Sequence, residues 1–443
     1  MSGGDIGVSI DVPVRLLPSG VRSDRPNETS VDVRNVGNMD TTDERERAYP
    51  FAPSHALDVN DLYQYVRQNE PLCPVRMPYG DPSLLVTRYE DAKAVFANAR
   101  FRRGVPEGVD QPRVTPDVIP LGLMEMDPPD HTRIRRLIAG SFTAARAERM
   151  RPAAQQLAAS LVDDMIAAGS PADLVGDFAV PFPIGVICDL LGVPFEDRDR
   201  FHHWISEVNQ LIGGDGGQAR IASLTELITY FGELVQRRRT EPTDDIIGEL
   251  VAARDQDDRL SEDELVFLCM VLLIAGYETS ANEIANFAYV LFTHPDQLAL
   301  LKERPELVPN AVEELLRFTP LTVSAAYPRY ATADVELAGD TIHTGQPVLI
   351  STNAANRDPA VFADPDRLDL TRPAAHHLAF GHGPHFCAGA PLARMELQVA
   401  LGLLLERMPD LQLACEPDAV AWKTGLLFRG PEKLPVAWNG HRS

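Results

Sequence analysis

The feature that most restricts this chain is a long apolar rod preceded by its own start signal. Ser261-Glu262-Asp263-Glu264 has the spacing of a capping box, in which the serine and the glutamate three residues on satisfy each other's backbone amides. Leu265 to Ile274 then runs almost without a polar residue. A helix apolar on every side is surrounded by protein. Extended to about Phe287, it would be about 40 Å long at 1.5 Å per residue, enough to cross the whole molecule. Inside the rod stands Ala275-Gly276-Tyr277-Glu278-Thr279-Ser280. Two small residues, an acid and a hydroxyl are a poor choice for a helix made only to pack, because an unpaired buried carboxylate is costly. They are either a satisfied buried polar pair or a reactive pocket. In the pocket, Ala275 and Gly276 would leave room while Glu278 and Thr279 relay protons.

A second stretch carries chemistry. Phe380-Gly381-His382-Gly383-Pro384-His385-Phe386-Cys387-Ala388-Gly389 ends a glycine-rich loop on a cysteine. Pro391 follows at the opening of a helical run, Leu392 to Arg407, a position that suits proline. Cys387 therefore lies against a helix N-terminus, where free amides and the dipole favour a thiolate. The glycines let backbone approach a flat ligand closely. This describes a thiolate presented to a metal. The alternatives are a plain buried cysteine and a zinc site using His382, His385 and Cys387, with His376 and His377 upstream. No Cys-x-x-Cys or paired-histidine spacing completes a tetrahedral zinc set.

Three further patterns accompany these. In Met126 to Arg136, Asp127 can cap a helix that Pro128 or Pro129 starts, which puts His131 and Arg135 on one face at i, i+4. Glu314 and Arg317 share a helix face at i, i+3. Arg329 lies in Tyr327-Pro328-Arg329-Tyr330, and arginine suits bidentate carboxylate binding.

Together these stretches resemble the cytochrome P450 family. Phe380, Gly383, Cys387 and Gly389 fill every fixed position of its haem signature, Phe-x-x-Gly-x-x-x-Cys-x-Gly; Ala388 replaces the commoner Leu. Ala275 to Thr279 matches Ala-Gly-x-(Asp/Glu)-Thr, and Glu314 with Arg317 matches Glu-x-x-Arg. The resemblance covers about residues 49 to 440. It implies the mainly α fold with small β-sheets (α+β), haem b lying between the long central helix and the cysteine loop. It implies Cys387 as axial iron ligand, with Phe380 and Gly381 in the cradle and Ala275 and Gly276 beside the oxygen pocket. His131, Arg135, Arg329 and His385 would bind haem propionates. Thr279 and Glu278 would deliver protons to bound dioxygen. Arg367, in Pro365-Asp366-Arg367-Leu368, would close a structural triad with Glu314 and Arg317. Thr319 to Ala326 and Thr424 to Phe428 would wall the substrate pocket.

The implied activity is a monooxygenase that takes electrons from NAD(P)H through a ferredoxin reductase and a ferredoxin. Arg133, Arg136, Arg146, Arg149 and Arg151, opposed only by Glu148, form a candidate docking face. Members that tailor actinobacterial natural products are most similar. The first expectation is therefore hydroxylation or epoxidation of a large apolar macrolide or polyketide. Oxidative coupling or ring formation on a cyclic dipeptide or aromatic metabolite is the alternative. A non-catalytic haem sensor or carrier is the third, and the Glu278–Thr279 pair argues against it.

Composition narrows the setting of the 443 residues. A net charge of −23 disfavours nucleic-acid binding. Five scattered cysteines give no disulfide framework, which suits the cytoplasm. No run of about 18 or more apolar residues that could span a bilayer is evident, so no membrane association and a monomer are expected. Residues 1–47 read as an N-terminal extension, disordered by composition, although Val8, Ile10, Val12 and Val14 alternate as a strand would. Residues 48–443 read as the catalytic domain. Leu84 to Thr87 reads as a strand, Tyr89 to Asn98 as a helix and residues 152–260 as mostly helical, with a joint at Gly213-Gly214-Asp215-Gly216-Gly217 that the family resemblance puts near the pocket lid.

Overall fold

A computed structural model describes residues 46–51, 55–116, 118, 122–209, 216–257, 259–325, 327–373 and 376–439. The alternation at Val8 to Val14 and most of the glycine joint lie outside them. The early helices are α1 (Leu62–Asn69), α2 (Tyr89–Ala97), α3 (Asp130–Ala139), α4 (Ala144–Ala168) and α5 (Pro181–Leu191). Then come α6 (Arg198–Val208), α7 (Gly216–Thr240), α8 (Ile246–Asp257), α9 (Glu262–Thr293) and α10 (Pro295–Glu303). The last are α11 (Val308–Phe318), α12 (Thr352–Ala355) and α13 (Ala390–Arg407).

The long rod is α9. Ser261 Oγ accepts from the Glu264 amide at 3.1 Å, and the Glu264 carboxylate accepts from the Ser261 amide at 2.7 Å, so the capping box is closed in both directions. The helix runs six residues beyond Phe287, to about 48 Å, and ends just before Pro295, which opens α10. By length and composition alone α9 could cross a membrane, contrary to the expectation from the sequence. Its side chains explain the apolarity differently: most are buried in the main core, which is built from α4, α5, α7, α9, α11 and α13. Glycines allow close helix contacts here. A Cβ on Gly185 of α5 would fall 2.4 Å from Leu157 of α4.

The β structure is peripheral. Strands β1 (Arg47–Ala48), β2 (Leu72–Arg76), β3 (Ser83–Val86), β4 (Phe101–Arg102), β6 (Arg329–Ala331) and β9 (Pro347–Ile350) form one sheet, ordered β1-β2-β3-β9-β6-β4. β5 (Ala172–Asp173), β10 (Gln412–Leu413) and β11 (Pro435–Ala437) form a second, and β7 (Val335–Leu337) with β8 (Asp340–Ile342) a hairpin. The expected boundary at residue 48 falls inside β1: Arg47 pairs with Val75, and Glu46 bonds Arg76 at 2.9 Å.

One cap differs from expectation. Pro129 occupies the cap position of α3, with no side-chain cap. The Asp127 carboxylate instead accepts from the amides of Arg103 and Gly104, at 2.8–3.1 Å, and so ties the end of β4 to the start of α3.

Candidate active site

The cysteine loop is held from three sides. The Cys387 amide donates to Phe380 O at 2.9 Å, which closes the loop on itself. Gly383 has φ +72°, and a Cβ there would lie 2.6 Å from Phe96 O, so only glycine lets the loop approach α2 this closely. Arg394 of α13 covers the Phe380 ring at 4.6 Å and is held by Glu313 at 2.7 Å. Gly381 also has a positive φ, +69°, in open surroundings. The result leaves Cys387 exposed at the end of the loop. Burial pushes the thiol up and outweighs the Gly389 and Ala390 amides and the Arg135 charge, which act the other way. The helix N-terminus alone therefore does not yield the thiolate expected above; a metal ion would, since coordination deprotonates a thiol.

The middle of α9 carries the second set of candidate residues. Ala275 is exposed and Thr279 half-buried on an otherwise enclosed helix. The Thr279 hydroxyl donates to Ala275 O at 2.9 Å. Gly276 does not open a pocket: its missing Cβ is what admits Ile187 of α5, whose Cδ1 would lie 2.7 Å away. Glu278 points to a different side from Thr279. Its carboxylate accepts from the side-chain amide of Asn209, the residue that caps α6, and burial pushes it up to about 7. Next to it, Tyr277 hydrogen-bonds His202, also on α6.

Beside the cysteine loop a cationic cluster assembles from four separate segments. His131 of α3 is buried, with its ring 4.1 Å from that of His385. Arg135, one turn later, donates to Phe386 O at 2.6 Å. Arg329 of β6 is only 3% exposed, yet its Nε and Nη2 have no partner. Burial and the neighbouring Arg103 guanidinium lower it to about 9. Burial and the surrounding cations drive His385 down to about 3. Arg103, which the sequence reading missed, bonds Tyr327 O at 3.0 Å and leaves its own Nε unpaired. A buried guanidinium without an acceptor is costly, so this cluster is built for an anion. Carboxylates on a flat ligand lying between Cys387 and Thr279 fit it.

The two expected pocket walls meet. Thr322 pairs with Phe428, Val323 donates to Leu427 O at 3.1 Å and Arg429 to Leu321 O at 2.7 Å. Ala326 lies outside the described residues.

The ion triad is real but has a different third member. Arg317 grips both oxygens of Glu314, at 2.7 and 2.8 Å, with both side chains essentially inaccessible. The third side chain is Arg372, 3.1 Å from Glu314 Oε1. Arg367 is exposed and contributes only its carbonyl, at 3.2 Å from Arg372 and 3.5 Å from Arg317.

The arginine stretch is less basic than its sequence. Arg133 is paired with Glu264, Arg146 with Glu249 and Arg151 with Glu148, each through carboxylates 2.5–2.7 Å away. Of the zinc alternative, His377 is engaged by Glu313 at 3.2 Å. Among the described residues no group of three or more His, Cys, Asp or Glu could hold a metal ion.

Comparison with known proteins agrees with this geometry. Residues 217–409 match the family model described as Cytochrome P450. The chain is 50% identical over 397 residues to the mycinamicin IV hydroxylase/epoxidase of Micromonospora griseorubida, covering 90% of this chain and 100% of that one. It is 47% identical to the nocardicin C N-oxygenase of Nocardia uniformis subsp. tsuyamanensis, covering 88% and 98%. Among solved structures, HinD with NMFT and NO superposes with a TM-score of 0.85 at 47% identity, covering 89% of this chain and 99% of that one.

Proposed function

The chain belongs to the cytochrome P450 family and is a haem-dependent monooxygenase supplied with electrons from NAD(P)H through redox partners; from that premise we propose that it hydroxylates or epoxidises a macrolide or another large apolar polyketide. The support for the substrate class is the full-length similarity to a macrolide hydroxylase/epoxidase. The support for the site is the exposed Cys387 beside a cationic cluster with unpaired guanidinium nitrogens.

In this reading Cys387 Sγ ligates the haem iron. Arg329, Arg103, His131, Arg135 and His385 take the propionates, which satisfies the nitrogens left unpaired in the protein. When bound, haem supplies the reductive activation of dioxygen. Phe380, Gly381 and Gly383 shape the loop so that the sulfur is presented without strain on α13. Thr279 Oγ1, which donates to Ala275 O, would hold and pass on a proton at that oxygen. Glu278, lifted to about 7 by burial, is half-protonated near neutral pH and so is matched to donating and regaining a proton. Its engagement with Asn209 means that it acts after that bond opens. The walls at 321–323 and 427–429 present mostly apolar backbone-linked surface to the substrate. Residues from 46 onward form the one catalytic domain, the electron donor is a ferredoxin, and the enzyme acts as a cytoplasmic monomer.

The test joins spectrum to product. Reduced protein exposed to carbon monoxide should give the red-shifted Soret band of a thiolate-ligated haem, and Cys387→Ser should abolish it. With redox partners and a macrolide such as mycinamicin IV, the product should gain one oxygen atom. Loss of two hydrogens without oxygen gain would replace the proposal with oxidative coupling.

A further inference from the structure

The acid of α9 is not fastened by its own helix alone. The segment 421–432, which carries one pocket wall, folds back on α9 at a point where it comes unusually close. A Cβ on Gly430 would lie 2.1 Å from Asn282 Oδ1, so glycine is required for the segment to sit against α9. Lys423 is held in this segment by its own amide, which donates to Gly430 O at 2.9 Å. Its Nζ reaches Asn282 Oδ1 at 2.9 Å, and the Asn282 amide group donates in turn to Glu278 O at 2.8 Å, one turn back. From the opposite side Asn209 donates to the Glu278 carboxylate, while the Asn209 carbonyl accepts from Leu427 N at 3.4 Å. The wall segment, the end of α6 and the acid of α9 thus form one closed hydrogen-bonded circuit.

We propose that Lys423 is a positioning residue for Glu278: a cation carried by the pocket-wall segment, locked through Asn282 to the backbone of Glu278, which keeps that carboxyl ionisable in its buried site. The proposal rests on the proton-delivery role given to Glu278 above. The charges facing the acid are few. Lys423 acts from the wall segment, and Asn209 and Asn282 supply neutral amides from α6 and α9. On α6, His202 bonds Tyr277 and is pushed down by burial and by the Lys423 charge. Glu432, on the wall segment itself, also faces Lys423. Burial raises the carboxyl and Lys423 opposes it. Without the cation only the Asn209 and Asn282 amides oppose burial, and the acid would ionise at a higher pH than in the parent. A structural lysine would anchor the wall but leave the ionisation of Glu278 where it is.

The experiment reads the acid directly. Carboxyl infrared difference spectra of the full-length haem protein are recorded across pH, and the Glu278 band is assigned by its loss in Glu278→Gln. Lys423→Met should move its titration midpoint upward by about one pH unit or more, the size expected for a neighbouring opposite charge. Lys423→Arg should restore it. The same variants are assayed for coupling of NAD(P)H use to product against pH, where Lys423→Met should lose coupling most in the window between the parent midpoint and its own raised one, recover it at higher pH, and Lys423→Arg should behave as the parent does. A Glu278 midpoint unchanged in a folded Lys423→Met protein overturns the proposal. If Glu278→Gln retains full coupling while the midpoint still moves, the electrostatic link stands and the role of Glu278 in proton delivery is what fails.

Discussion

Replacing Arg372 with alanine should destabilise this protein, and replacing Arg367 should not. The Glu314 carboxylate is 2% exposed and carries two guanidinium partners, Arg317 and Arg372. Removing one partner of a buried ion pair typically costs about 3–5 kcal/mol, because the remaining charge is left without compensation. Here Arg317 keeps both its contacts, which argues for the lower end. Arg372 also donates to the carbonyls of Ala363 at 2.6 Å, Asp364 at 3.2 Å and Arg367 at 3.2 Å, and those acceptors can turn to water. The expected loss is about 3 kcal/mol. The Arg367 side chain is exposed and makes none of these contacts, so Arg367→Ala should stay within about 0.5 kcal/mol of the parent. Urea titration of the haem-loaded protein, followed by far-ultraviolet circular dichroism, gives the midpoint and slope for each variant. Equal midpoint shifts for the two variants, or none for Arg372→Ala, would refute the assignment of the third triad member.

Thr279→Ala, which removes the half-buried hydroxyl that donates to Ala275 O, should uncouple NAD(P)H oxidation from product, with the lost electrons recovered as peroxide. Unchanged coupling would remove Thr279 from proton delivery. Gly276→Ala should cost about 1–3 kcal/mol by overpacking, since the new methyl meets Ile187 Cδ1 at 2.7 Å, and Ile187→Ala in the same chain should recover part of it. Glu396, buried in α13 and raised by burial to about 8, and Glu278, raised to about 7, both bind their protons more tightly folded than unfolded. Their contribution to stability is therefore complete below about 4.5, the unfolded value, and is lost as pH rises through 7 and 8. Glu396→Gln should flatten the decline in urea midpoint between about pH 4.5 and pH 8.

What could be read in advance follows the range of the interactions. The capping box and the apolar length of α9 are local, so both were visible, and the helix appears where the pattern puts it. The cysteine loop, His131 with Arg135, and Glu314 with Arg317 are likewise contained within one segment each. The order of the six-stranded sheet is not, because β3 pairs with β9, Leu84 against Val348, from distant parts of the chain. Arg103 was missed for the same reason. It follows a two-residue strand in a stretch without periodicity, and only the pairing of β4 with β6 brings it to Arg329. The one available signal was a long irregular segment inside a compact domain. Gly276 shows a different limit. A small residue in a helix can serve a ligand or a neighbouring helix, and nothing in the sequence says which side the absent Cβ would have faced.

The misassigned arginine shows where a motif stops being informative. Glu314 and Arg317 are three residues apart on a helix, so geometry alone makes them neighbours. Their third partner comes from an irregular strand of chain with no period to say which side chain returns inward. Backbone bonds decide it. The Asp369 amide donates to Glu314 Oε1 at 3.1 Å, and the Leu370 amide to Gln297 Oε1 at 3.0 Å. Asn310 of α11 then donates to the carbonyls of both Leu370 and Arg372 at 2.8 Å. Residues 369–372 are therefore laid along α10 and α11, and Leu368 and Leu370 are buried against the core. With the chain held there, Arg372, at the end of the anchored stretch, reaches back to the carboxylate. Arg367 precedes that stretch and faces solvent. The same anchoring exposes the Arg367 carbonyl to two guanidinium groups, so the position remains part of the network through its backbone while its side chain is free to vary.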